Sequence, residues 1–122
     1  MIVMDDTVKL ISRILLAPIF LSALIGKLTG FESTLSYMKA NGMTFFTELW
    51  LVGAILLLGF GTFSLLTGIK LKWGIGALLL FLVTATLIFH FDLSDKSQII
   101  QVFKNLAIVG GLLLVSVTAP GK

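Results

Sequence analysis

Four long apolar stretches, at about residues 8–28, 49–69, 73–91 and 105–119, are separated by shorter polar breaks along this chain. A helix rises about 1.5 Å per residue, so crossing a hydrocarbon core of about 30 Å takes roughly 20 mostly apolar residues. The second and third stretches carry no charged residue. The fourth is shorter, but its uncharged run extends from Asn105 to Gly121 and is rich in Leu, Val, Ile and Ala. All four read as membrane spans. The pattern predicts an all-α protein, a four-helix transmembrane bundle in a single domain over residues 1–122.

The breaks differ in kind. Between the first two spans, Phe31, Leu35, Tyr37, Met38 and Met43 form an interrupted apolar face. That face suits a short interfacial helix or loop closed by Asn41 and Gly42, lying over one end of the bundle. The break after the third span begins polar with Asp92, Ser94, Asp95, Lys96, Ser97 and Gln98, then regains Ile99, Ile100, Val102 and Phe103. Its second half leads directly into the fourth helix. No A-x-A site follows the first stretch, which therefore reads as a retained span rather than a cleaved signal.

Lipid supplies no hydrophobic drive between helices, so small residues are expected where backbones approach. The candidates are Gly53, Gly59, Gly61, Gly74, Gly76, Gly110 and Gly111. Gly26 and Gly30 match GxxxG, but beside Lys27 they suit a turn as well as a contact face. Pro18 is expected to kink the first helix.

Composition supports the membrane reading, because a 122-residue soluble globule has too little interior to hide a chain that is 57% hydrophobic. With four spans, one side of the bilayer receives Lys9, Arg13, Lys70, Lys72 and Lys122 against Asp5 and Asp6. The other receives Lys27, Lys39, Lys96 and Lys104 against Glu32, Glu48, Asp92 and Asp95. The basic excess on the first side predicts both termini in the cytoplasm, and it accounts for the net charge of +3 without nucleic acid as a partner. Cysteine is absent and histidine occurs once, which excludes dithiol relays, iron–sulfur ligation, covalent haem and a pair of axial histidines from one chain. No metal site is expected.

That topology brings Lys27, Glu48, His90, Asp92, Lys104 and Asn105 to one level, near the non-cytoplasmic interface. In one reading they form a polar chamber in which Lys27, His90, Lys104 and Asn105 face a quinone head group or another small hydrophobic ligand. Thr86, four residues before His90, shares its helix face, and Glu48 or Asp92 would orient the imidazole. In the competing reading the charges snorkel to the headgroups, Glu48 favours a helix N-terminus, and His90 sits in the wet boundary layer. Arg13 lies inside the first apolar run and either supports the site or reaches cytoplasmic phosphates. Trp50, Trp73, Phe45, Phe46, Phe89 and Phe91 fall near span ends and read as interfacial anchors.

Arg13 early in the first helix, Gly26 and Lys27 at its end, the ATLIFH run ending at His90, and KNLAIVGGLLL from Lys104 to Leu114 together resemble the DoxX family of small bacterial membrane proteins. The resemblance covers roughly residues 8–119, and its last segment is the most specific part. It implies a four-helix bundle in the bacterial inner membrane and an association with redox chemistry, since relatives include a subunit of thiosulfate:quinone oxidoreductase and components of oxidative-stress membrane complexes. Arg13, Lys27, His90, Lys104 and Asn105 match the family's polar pattern. The chain departs from it where relatives often carry a glutamate inside the second helix, for Leu57 and Leu58 stand there.

Three functions are compatible with this reading. In the first, the protein is a redox-associated membrane subunit that binds a quinone or other small hydrophobic ligand, at most a non-autonomous part of an oxidoreductase and with no intrinsic cofactor. In the second it is a non-catalytic accessory or assembly subunit of a larger membrane complex. In the third it transports a small solute, which in four spans without an internal repeat requires that it act as a dimer. Beyond the lipid bilayer, the expected partner is a larger membrane complex or a homo-oligomer.

Overall fold

The computed structural model describes residues 6–89 and 96–118. The chain forms α1 (Asp6–Thr29), α2 (Phe31–Ala40), α3 (Thr47–Thr67), α4 (Leu71–Phe89) and α5 (Lys96–Thr118). Four of these helices are long and apolar enough to span a membrane: Asp6–Thr29, Thr47–Thr67, Leu71–Ile88 and Lys96–Val117. The predicted four-span bundle with a short helix after the first span is therefore the observed fold.

The span ends are shifted from those that hydropathy drew, for local reasons. The third helix in sequence, α3, stops at Thr67 because Gly68 adopts a left-handed conformation at φ 78° and its N–H caps Ser64 O at 2.7 Å. The last helix starts at Lys96, well before the expected 105, because Ile99, Ile100, Val102 and Phe103 continue its pattern behind a polar first turn. The first helix continues through Pro18.

Gly30 makes the corner between α1 and α2. Its N–H donates to Gly26 O at 2.9 Å, and its carbonyl accepts from the Thr34 N–H at 2.9 Å and from Thr34 Oγ1 at 2.8 Å. Gly26 and Gly30 thus serve a turn. The other end of α2 closes as expected: the Asn41 side chain donates to Tyr37 O at 2.9 Å, Gly42 takes φ 92°, and the Met43 N–H returns to Met38 O at 3.0 Å. Leu35 and Met38 of α2 are buried with Leu51 of α3, which fixes this helix across the end of the bundle.

Around the bundle, α1 packs on α3 and α5, and α4 packs on the same two helices, so the order is α1, α3, α4, α5. Leu58 and Leu65 of α3, Ile75 and Leu78 of α4, Phe20 of α1 and Leu112 of α5 form the buried centre. Small residues set the α3–α4 contact: a Cβ added at Gly61 would run into the Leu78 side chain, and one at Gly74 would run into Cβ of Ser64. Gly111 is in ordinary contact with Leu16, whereas Gly53, Gly59, Gly76 and Gly110 face open space. Only part of the glycine set therefore mediates contacts within the chain. Leu15, Leu56, Leu80 and Val117 lie exposed on the outer faces, as lipid contact requires.

Candidate functional site

The packed centre does not reach the end of the bundle where α2 lies. Between Leu58 and α2 the helices leave a partly open cavity of about 310 Å³, lined from all five helices. This volume is at the small end of ligand pockets, which run from about 300 to 1,000 Å³. Its wall is mostly apolar, including Phe20, Leu51, Phe81, Leu82 and Ile108. The polar lining comes from Lys27, Thr34, Tyr37, Lys104 and Asn105.

Each polar group is placed by its helix. Lys27 stands in the last turn of α1, where the carbonyl end of the helix favours a cation. It is half-buried, with Nζ 5.2 Å from the centroid of the Phe81 ring on α4, so the charge crosses the cavity to an aromatic face. Asn105 of α5 is 6% exposed, and its Nδ2 donates to Thr86 Oγ1 of α4 at 2.7 Å. Thr86 in turn donates to Leu82 O at 2.7 Å. A hydrogen-bonded chain thus ties α5 to α4 and holds the Asn105 carboxamide at the cavity wall. Lys104 is exposed overall but contributes to the lining from the open edge.

A second, almost wholly apolar hollow of about 480 Å³ lies on the outer side of α3 and α4. Trp50, Gly53, Leu56, Leu57, Leu80 and Ile88 border it, and Met38, Ala54, Phe81 and Ala85 line both spaces.

Of the residues expected from the sequence, Lys27, Lys104 and Asn105 converge on one cavity, and Thr86 supports Asn105 from behind. Glu48 is exposed in the first turn of α3 and is not part of the lining. Arg13 lies at the opposite end, where its guanidinium packs on Gly68: a Cβ added there would come within 2.6 Å of Nη1. His90 and Asp92 lie outside the described residues. Thr34, Tyr37 and Phe81 line the cavity and were not anticipated as site residues. Thr34 and Tyr37 are three apart on α2, a spacing that puts them on one face, whereas the Lys27–Phe81 contact has no signature in either segment.

A four-span α-helical membrane protein with a small, mostly apolar cavity under an interfacial helix is the class that fold and site define. The DoxX family profile matches residues 8–91, and the chain belongs to the DoxX family. It is similar to the inner membrane protein YqjF of Escherichia coli strain K12, with 32% identity over 123 residues that cover 97% of this chain and 88% of that protein. No solved structure matches the chain. Family membership and the relative, together with the four apolar helices, make this a multi-pass inner membrane protein.

Proposed function

We propose that the protein is a redox-associated inner-membrane subunit that holds a quinone or other small hydrophobic ligand in the end cavity, with both termini cytoplasmic and the cavity near the non-cytoplasmic interface. The observation that carries this reading is the convergence of Lys27, Lys104 and Asn105 on one partly open, otherwise mostly apolar space of about 310 Å³. The donor set suits oxygen acceptors on a small head: ammonium N–H groups from the two lysines and the second N–H of the Asn105 carboxamide, whose first is committed to Thr86. A quinone would supply reversible electron-pair chemistry when bound. This chain's residues would bind the head, orient it against Phe81 and keep water out beneath α2.

Gentle purification from native membranes followed by mass spectrometry of the retained small molecules tests the proposal. A stoichiometric ligand that is lost in Lys27→Ala and in Lys104→Ala, with the fold unchanged, is expected. Equal retention by both variants would overturn the site. A second reading, an accessory subunit seated against a larger membrane complex, is favoured by the open space at Gly53, Gly76 and Gly110. Its expected result is a stably co-purified protein partner and no small molecule.

A further inference from the structure

The end cavity and the outer hollow meet at Met38, Ala54, Phe81 and Ala85, each of which lines both. Two of these four side chains are single methyl groups, so the partition between α3 and α4 is thinnest at Ala54 and Ala85. On the inner side stand two cations. Among the described residues neither Lys27 nor Lys104 has a carboxylate partner, and the recorded contact of the Lys27 ammonium is with the face of Phe81. Lys27 is half-buried, and a bound anion would offset the cost of drawing its charge from water. On the outer side the hollow follows α3 from Trp50 to Leu57, about 10 Å by helix rise, and among the described residues no charged one lines it. It opens where lipid chains would lie, since Trp50 and Leu56 are exposed.

Resting on the ligand-site reading above, we propose that the ligand is an anionic amphiphile taken from the bilayer: a carboxylate or phosphate head on an apolar chain. The head sits between Lys27 and Lys104 with the Asn105 carboxamide beside it. The chain leaves between Ala54 and Ala85 and lies in the α3–α4 groove along Trp50 and Leu57. A neutral head gains nothing from a second lysine, and a soluble anion has no use for the groove. The paired chemistry, two cations on one side of a methyl-thin wall and an uncharged trough on the other, selects a molecule that carries both parts.

The two tryptophans provide the test, because Trp50 borders the groove and Trp73 lies in the first turn of α4, at the other end of the bundle. The full-length protein is placed in phosphatidylcholine nanodiscs as W73F, leaving Trp50, and as W50F, leaving Trp73. Both are titrated with dibromostearate, its methyl ester, brominated phosphatidate and decylubiquinone. Saturable quenching of Trp50, but not Trp73, by an anionic probe is expected, with the ester at least about tenfold weaker, the loss that one charge-assisted hydrogen bond represents. Saturation by the fatty acid or by phosphatidate supports the proposal, and the tighter of the two identifies the source of the head. K27Q/K104Q in the W73F background is expected to erase the preference for acid over ester. A54F, with its fold checked by thermal melting, is expected to remove the saturable component. Acid and ester quenching equally, or decylubiquinone alone saturating, overturns the anionic assignment and leaves the ligand site standing. No saturable response to any probe overturns both.

Discussion

Asn105 on α5 and Thr86 on α4 are joined by a side-chain hydrogen bond of 2.7 Å in which the carboxamide donates and the hydroxyl, already donating to Leu82 O, accepts. The pair places a polar bond between two membrane helices at the rim of the cavity. Both the packing of α5 and the pose of the cavity's amide depend on it.

Removing the hydroxyl in Thr86→Val leaves the buried Asn105 donor without its partner. Interhelical hydrogen bonds in membranes contribute about 0.6 kcal/mol on average and up to about 1.7. A destabilisation in that range is expected from T86V, and the double variant with N105A should lose less than the sum of the single losses. Unfolding in detergent across the double-mutant cycle measures the coupling, and strict additivity would show that the bond contributes nothing.

Gly74→Ala and Gly61→Ala are both expected to damage the fold. The added methyl at Gly74 meets Ser64 Cβ, which is fixed to its backbone, and at Gly61 it meets the buried Leu78 side chain and the Gly74 carbonyl oxygen, so at neither position can a side-chain tip simply swing away. Overpacking of this kind costs about 1–3 kcal/mol. Gly76→Ala, which enters open space, should melt like the wild type. Thermal denaturation of the three variants checks this contrast, and a destabilised G76A would place an unseen neighbour at that face.

Gly68 carries two constraints at once, a φ of 78° and the Arg13 guanidinium against its Cα. Gly68→Ala is expected to destabilise by about 1 kcal/mol or more, since an L side chain is strained in that conformation. Shortening the neighbour in R13A should recover the steric part of the loss and leave the backbone part. Full recovery in the double variant would show that the backbone conformation imposes no strain.

Lys27→Met keeps the length of the side chain and removes the charge held over Phe81. Ligand retention is expected to fall by about tenfold, the equivalent of one charge-assisted hydrogen bond, while stability changes by less than about 1 kcal/mol. Phe81→Leu, which keeps the apolar volume but not the aromatic face, should weaken retention less. Quantifying the co-purified small molecule in each variant checks the order, and unaltered retention in K27M would remove the ammonium from the site.

The four spans and the helix across the bundle end were legible in the chain because hydropathy, span length and turn chemistry are local properties. Residues near Leu57 or Leu112 need no partner to make the bilayer the favourable solvent, and Asn41 and Gly42 end α2 by contacts within the helix and its first flanking residues. The level of Lys27, Lys104 and Asn105 followed from counting spans, but their facing did not. Which side of each helix turns inward depends on how it is rotated about its own axis, and packing with neighbours sets that rotation. This is why Gly61 and Gly74 meet across α3 and α4 while Gly53 and Gly76 face open space, and why Glu48 remains outside the cavity. The Lys27–Phe81 and Asn105–Thr86 pairs join residues 54 and 19 positions apart in sequence, and tertiary structure alone decided them. Membrane residence is fixed by what each segment prefers as solvent, whereas the site is fixed by which helices are neighbours.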